Sequence, residues 1–295
     1  MNTAQASMPT TTQGRAKLDL DSQYEITPEH VSYYQHNGFI KLKNVLSPQA
    51  LDHYGREISA KVRELNALTI PMEQRTTYQK AFLQIMNLWR KSEIVKEFVF
   101  SKRLGRIAAR LMRCRGVRLY HHQALYKEPG GGITPWHADQ FYWPISTDNT
   151  VTAWIPLQQT PLELGPLAFS AGSQRFNSAG RDIEISDESE KKLSKLLLES
   201  GLPLNETAFD LGEVSFHWGW TFHRAGSNKS DRPREVMTVI YVDADAKVAK
   251  PANKSQVVDL ATWLPGLKPG DSIDSPLNPV IYVDASDRHG WQMAV

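Results

Sequence analysis

The segment Pro135-Trp136-His137-Ala138-Asp139-Gln140 places a histidine and a carboxylate two positions apart. Side chains alternate along an extended strand, so His137 and Asp139 point to one face and can grip the same divalent ion. The richest source of a third ligand is Phe216-His217-Trp218-Gly219-Trp220-Thr221-Phe222-His223. Two histidines and one carboxylate on one face of an octahedral ion form the facial triad of non-haem Fe(II) oxygenases, which keeps the opposite positions open for co-substrate and O2. The same donor set can serve a zinc hydrolase, and without metal the pair is an ordinary hydrogen-bonded couple.

A second feature narrows the chemistry. After His223 the chain runs Arg224-Ala225-Gly226-Ser227-Asn228-Lys229-Ser230-Asp231-Arg232-Pro233-Arg234, a composition that reads as a loop between two strands, Val214 to Phe222 and Arg234 to Val242. A hairpin there makes His223 and Arg234 neighbours. A buried guanidinium beside a metal is costly unless an anion meets it, and arginine takes a carboxylate bidentately. A metal-chelating dicarboxylate such as 2-oxoglutarate satisfies ion and arginine together, whereas a zinc hydrolase has no evident use for Arg234.

Composition bounds the partner. The formal charge of +2, from 34 basic and 32 acidic residues, gives neither a nucleic-acid footprint nor a membrane-surface patch, so a small-molecule substrate is expected. Cys114 is the only cysteine, which excludes an internal disulfide and a multi-cysteine zinc site and fits a reducing, cytoplasmic compartment. Residues 1–24 are polar, lack the apolar core of a signal peptide, and read as a disordered tail. No apolar run approaches the length of a transmembrane helix. The P-loop, the glycine-rich dinucleotide fingerprint and the nucleophile elbow are all missing. Oligomeric state is unreadable.

The elements that position these residues divide at about residue 115. Thr27-Pro28-Glu29 starts a helix that Gly38 closes, a short strand follows over Phe39 to Val45, and Ser47-Pro48 starts a helix through Leu65. Leu104, Ile107, Ala108 and Leu111 mark another helix after Ser101. From Val117 the period becomes two: Val117, Leu119, His121, Gln123, Leu125 and Lys127 alternate with Arg118, Tyr120, His122, Ala124 and Tyr126. Val151 to Leu157 is an apolar strand, Leu164-Gly165-Pro166 a turn, and Glu188 to Leu198 a helix within a polar excursion. Short strands with helices gathered at the N-terminal end predict a mainly β fold, a double-stranded β-helix or jelly roll with the helices packed on one sheet. The domain expectation is one unit over 25–295: a helical lead-in (25–115), a jelly-roll core (116–245) and a C-terminal tail (246–295).

The stretches Tyr126 through Gln140, Val151 through Ser173 with Ala153-Trp154-Ile155-Pro156-Leu157 and Gly172-Ser173, and Gly212 through Val242 resemble the phytanoyl-CoA dioxygenase family of Fe(II)/2-oxoglutarate oxygenases. Asn37-Gly38-Phe39 and Trp263-Leu264-Pro265-Gly266-Leu267-Lys268-Pro269-Gly270 look similar to its bacterial members, so the resemblance spans most of residues 25 to 282. It implies His137, Asp139 and His223 as iron ligands and Arg234, eleven positions after His223, as partner of the distal carboxylate of 2-oxoglutarate. Thr134 and Gln123 fall where family members contact the co-substrate, and Thr152 is placed to reach the same carboxylate as Arg234. The implied reaction consumes O2, converts 2-oxoglutarate to succinate and CO2, and hydroxylates an unactivated C–H bond of a small organic substrate. Desaturation, epoxidation or ring formation would leave the same motifs, and a non-catalytic jelly-roll binding module is the remaining class. Asp139 argues against a halogenase, where a small residue vacates that position for chloride.

One position departs from the family pattern. A serine is common two residues after the distal histidine, and Ala225 stands there, so either Ser227 or water substitutes or 2-oxoglutarate is held a little less firmly. His217 reads as a pocket or structural histidine, and His121 and His122 as strand residues. Trp136, Trp143, Trp154, Trp218 and Trp220 read mostly as core, with one or two lining the substrate pocket. Lys127 is placed either to reach an anionic substrate or to lie on the barrel rim. The variable loops that would set specificity are Thr69 to Trp89 and Arg175 to Phe209.

Overall fold

The computed structural model describes residues 12–284. Helix starts follow the capping residues. After α1 (Thr12–Asp21), the Thr27 hydroxyl accepts from the His30 amide at the start of α2 (Pro28–Asn37), and Gly38, at φ 79°, ends it in the left-handed conformation. β1 (Phe39–Leu42) leads to α3 (Pro48–Leu65), capped by Ser47. α4 (Thr77–Ala81), β2 (Leu83–Met86) and α5 (Glu93–Val99) precede α6 (Lys102–Met112), whose Leu104, Ile107 and Leu111 are fully buried.

The strands then dominate: β3 (Gly116–Lys127), β4 (Thr134–His137), β5 (Thr150–Pro156), β6 (Leu167–Ser170), β7 (Leu204–Glu206), β8 (Val214–Trp218), β9 (His223–Ala225), β10 (Arg234–Asp243) and β11 (Val280–Val283). α7 (Asp187–Ser200) separates β6 from β7, and α8 (Lys254–Trp263) follows β10. The larger sheet has the order β1-β8-β5-β10-β3-β11, with β2 also on β3; the smaller has the order β4-β9-β6-β7. All pairings are antiparallel. This is the jelly roll predicted from the strand pattern, with the site between the two sheets.

The outer face of the larger sheet is the main core. Val117, Leu119, Ala124, Val151, Ala153, Phe216, Met237 and Val239 pack there against Tyr54, Ile58, Phe98, Leu104 and Ile107 of α3, α5 and α6. Each of the larger aliphatic and phenylalanine side chains there stabilises the fold by about 1.5–3 kcal/mol relative to exposure, so the helices hold the sheet while its inner face stays free for polar work.

Several expectations need correcting. Residues 12–21, placed in the disordered tail, form α1: Leu20 is buried, its carbonyl accepts from Ser101 Oγ at 3.1 Å, and Asp19 accepts from the Ser47 amide at 2.9 Å. The rest of that tail, residues 1–11, lies outside the described residues, as do 285–295. The C-terminal tail carries α8 and β11, the latter paired with β3. The alternation along β3 is broken: Ile240 faces His121 but Tyr241 faces Leu119, so Tyr120 is an extra, bulged residue. Leu119 and Ala124, five positions apart, therefore share the outer face. The strand expected over Val214 to Phe222 ends at Trp218, and the supposed hairpin partners β9 and β10 belong to different sheets. Residues 226–233 carry the chain from the smaller sheet to the larger. Among the described residues no helix is long and apolar enough to cross a membrane.

Candidate metal centre

The smaller sheet brings two histidines together. β4 and β9 pair with Thr134 opposite Ala225 and His137 opposite His223, and an irregularity between the two rows absorbs one residue. The rings of His137 and His223 lie 4.2 Å apart between centroids. His137 Nδ1 is 2.7 Å from the Pro135 carbonyl and His223 Nδ1 is 3.0 Å from that of Thr221. A carbonyl can only accept, so both rings carry their proton on Nδ1 and turn the Nε2 lone pair inward.

Asp139 opens a tight turn, Asp139–Tyr142, tied down by the Gln140 amide on the Gly219 carbonyl at 2.9 Å. Its Oδ1 lies 3.7 Å from His137 Nε2 and 3.8 Å from His223 Nε2. One ligand atom from each of His137, Asp139 and His223 falls within 4.8 Å of the others. Burial alone would raise the Asp139 carboxyl, but the facing imidazoles of His223, His217 and His137 outweigh it and hold the group ionised. Burial pushes both His137 and His223 down to about 4, with a neighbouring histidine adding to it in each case. Two neutral imidazoles and one carboxylate converge without a proton in the way, the donor state a divalent ion requires.

The other carboxylate oxygen is already engaged. Asp139 Oδ2 accepts from Thr152 Oγ1 at 2.8 Å and lies 3.2 Å from His217 Nε2. Thr152 and His217 are cross-strand partners on β5 and β8. The expectation for Thr152 is thereby corrected: its one hydroxyl proton goes to Asp139 and cannot also be donated to a co-substrate carboxylate. His217, expected as a pocket or structural histidine, lines the cavity and also positions Asp139 by its contact with Oδ2, a role with no sequence signature beyond its place on a strand opposite Thr152.

Arg234 opens β10 on the opposite sheet and lines the same cavity, of about 550 Å³. It is 1% exposed. Nη1 donates to the Gly165 carbonyl, Nε has no partner, and the guanidinium lies 5.5 Å from the Trp154 ring centre. No carboxylate of the described residues pairs with it, and burial pulls its pKa down to about 9. Gly165, at φ 67°, aims the accepting carbonyl; a Cβ there would meet the Gly226 carbonyl oxygen at 2.2 Å. A buried guanidinium with an unused donor, in the cavity that holds the His-Asp-His cluster, fits a carboxylate reaching over from the metal position.

The remaining predicted positions divide. Thr134 lines the cavity with Oγ1 buried and unpartnered. Gln123 lines it too; its Oε1 accepts from Gln84 Nε2 at 2.8 Å. Ala225 is a lining residue and Ser227 is not, which leaves Thr134, directly across the strand pair from Ala225, as the hydroxyl at that place. Lys127 neither reaches the cavity nor lies on the rim. It is fully buried, its Nζ donates to the carbonyls of Gly132 and Gly226, and burial, with Arg234 opposite it on β10, pushes the amine down to about 6. Of the five tryptophans, Trp143 and Trp154 line the cavity, and so does Trp263, which was not anticipated.

Comparison with known proteins agrees with this architecture. The chain is 24% identical to the non-heme alpha ketoglutarate dependent carbocyclase SnoK from nogalamycin biosynthesis, with a TM-score of 0.71 over 93% of this chain and 99% of that one. EctD from S. alaskensis, solved with 2-oxoglutarate and 5-hydroxyectoine, matches with a TM-score of 0.63 at 17% identity, over 79% of this chain and 83% of that one. These likenesses speak for the fold. In sequence the chain is 23% identical over 224 residues to a "probable alpha-ketoglutarate-dependent hypophosphite dioxygenase" of Stutzerimonas stutzeri, covering 72% of this chain and 77% of that protein. The pattern of phytanoyl-CoA dioxygenase (PhyH) matches residues 34–236, and the chain accordingly belongs to that family of Fe(II)- and 2-oxoglutarate-dependent oxygenases.

Proposed function

We propose that this protein hydroxylates an unactivated C–H bond of a small organic substrate, with His137, Asp139 and His223 holding the iron and Arg234 holding the distal carboxylate of 2-oxoglutarate. The observation that carries the reading is the buried, anion-free Arg234 in the cavity of the His-Asp-His cluster. With 2-oxoglutarate and O2, the bound iron supplies the oxidising power, which no side chain here possesses. The chain's own residues bind and orient. Thr152 and His217 hold Asp139 Oδ2 so that Oδ1 is presented inward. Thr134 offers its free hydroxyl to the co-substrate where Ala225 has none, and Gln123 offers its amide nitrogen from the larger sheet. Trp143, Trp154, Leu167 and Ile240 line the cavity with apolar surface that excludes water.

Hydroxylation is preferred over cyclisation or epimerisation, reactions named for structural relatives at 24% and 22% identity, because it needs no second reacting group beside the abstracted hydrogen. The test is succinate formation by metal-free protein given Fe(II), 2-oxoglutarate and O2. Asp139→Ala removes the only carboxylate of the cluster and is expected to abolish it; succinate at a wild-type rate from that variant refutes the ligand assignment.

A further inference from the structure

Arg234 has a counterpart of opposite sign. On the β10–β3 ladder Arg234 pairs with Lys127, and six residues further along Ile240 pairs with His121. At about 3.3 Å per residue the two rows are roughly 20 Å apart. Ile240 also pairs with Thr152, which holds Asp139, so the metal cluster stands beside this second row. Beyond it the cavity is lined by His121, Trp143, Trp263 and Asp259.

Asp259 comes from α8 and is mostly buried. Its Oδ2 accepts from the Tyr120 hydroxyl, and among the described residues no lysine or arginine pairs with it. Burial raises its carboxyl to about 7, against a smaller lowering by the Tyr120 hydrogen bond; nothing cationic compensates. The β3 bulge creates the neighbourhood. Because Tyr120 is the extra residue, Tyr120 and His121, although consecutive, both turn to the inner side, with ring centres 5.0 Å apart and each against Trp143, at 5.6 and 6.4 Å. His121 is 3% exposed, lies 5.2 Å from Trp263 between ring centres with the planes tilted by 44°, lines the cavity and has no hydrogen-bond partner among the described residues. It is an unpaired polar ring aimed into the space that Asp259 faces. Glu184, at the rim and held by Ser255 at 2.7 Å, adds a second negative charge.

We propose that this end of the cavity binds a cationic nitrogen of the substrate, an ammonium or alkylammonium group, between Asp259 and the rings of Trp143 and Trp263. This rests on the oxygenase reading only in calling the ligand a substrate. An anion would meet Asp259 and Glu184 with no cation to receive it. A neutral polyol would give Asp259 hydrogen bonds but nothing that favours its ionised form, which burial disfavours. A cation answers the carboxylate and uses the aromatic faces, and one that carries an N–H also gives the neutral His121 ring a donor to accept from. The reacting carbon of such a substrate would lie toward the metal, away from the charged end.

The test compares choline with its neutral isostere 3,3-dimethylbutan-1-ol by tryptophan fluorescence titration of the full, metal-free chain. Choline is expected to bind at least about tenfold tighter, a ratio that corresponds to ~1.4 kcal/mol, and Asp259→Asn is expected to erase the difference. Equal affinities, no saturable choline response, or an undiminished preference in a folded Asp259→Asn overturns the subsite; should that variant not fold, the wild-type ratio alone decides. The Fe(II)–2-oxoglutarate absorption band is read separately on the same preparation. A band without cation preference sinks only the subsite, and cation preference without a band sinks only the oxygenase reading.

Discussion

Replacing Arg234 by methionine separates binding from folding, because the two are expected to move in opposite directions. In the protein alone the guanidinium is 1% exposed, uses Nη1 on the Gly165 carbonyl and leaves Nε unpaired, so it is a buried charge without its anion. Removing one partner of a buried, hydrogen-bonded charge pair costs about 2–5 kcal/mol, which at ~1.4 kcal/mol per decade is about 30-fold to a few thousandfold in 2-oxoglutarate affinity. In the cofactor-free protein the same change removes a desolvated charge and one contact worth about 1 kcal/mol, so the melting temperature should hold or rise. Affinity is read anaerobically from the visible charge-transfer absorption of the Fe(II)–2-oxoglutarate chelate, stability by calorimetry without metal. A titration midpoint within threefold of wild type would falsify the carboxylate role. A fall of more than about 10 °C in the cofactor-free melt would instead make the guanidinium a structural element.

Three further substitutions probe the supporting residues. Thr152→Val removes the 2.8 Å hydrogen bond to Asp139 Oδ2 and should weaken Fe(II) binding by about tenfold or more, measured by competition with a chromogenic chelator; unchanged affinity removes Thr152 from the site. Gly165→Ala puts a Cβ 2.2 Å from the Gly226 oxygen at a positive φ, so it should destabilise the fold by at least about 1 kcal/mol in denaturant titrations and weaken 2-oxoglutarate binding by displacing the carbonyl that holds Arg234. If only stability falls, that carbonyl does not position the guanidinium. The buried Lys127 amine titrates near 10.5 in the unfolded chain and at about 6 in the fold. The unfolded state therefore binds the extra proton between those values, and wild-type stability rises with pH across that window. Lys127→Met removes this dependence, so its stability advantage over wild type should be largest near pH 6 and shrink toward pH 10; an advantage independent of pH rejects the buried-amine account.

Part of the site was legible because it depends on short-range spacing. His137 and Asp139 do converge, although β4 ends at His137 and Asp139 opens the following turn, so the expected strand alternation is not what joins them; Thr27, Ser47 and Gly38 mark helix ends through hydrogen bonds made within a few residues. The hairpin argument reached a true neighbourhood by a false route. His223 and Arg234 line one cavity, yet they do so across two facing sheets, because residues 226–233 cross between them. Strand pairing over long separations is not written in any local pattern. The bulge at Tyr120 was invisible for the same reason: only the mismatch with β10 reveals the extra residue. Thr152 was assigned the wrong partner, and the hold of His217 on Asp139 went unseen, because both meet Asp139 Oδ2 through the cross-strand pairing of β5 with β8. Asp259 and Trp263 lay in a stretch whose helix is docked by Asn253 and Gln256 on the Phe141 carbonyl, contacts more than a hundred residues apart.

The bridge between Asn253, Gln256 and that single carbonyl has a bearing on descent. The side chains around the metal position stand on strands whose neighbours fix their register, so altering one disturbs several. α8 is attached differently: it has no fully buried residue of its own, and it reaches the cavity rim through a few side-chain contacts. Duplicated copies of the gene can thus drift at the helix while the sheets are held by selection. The far end of the cavity can then acquire a new preference in few mutational steps, with the oxidising end inherited intact.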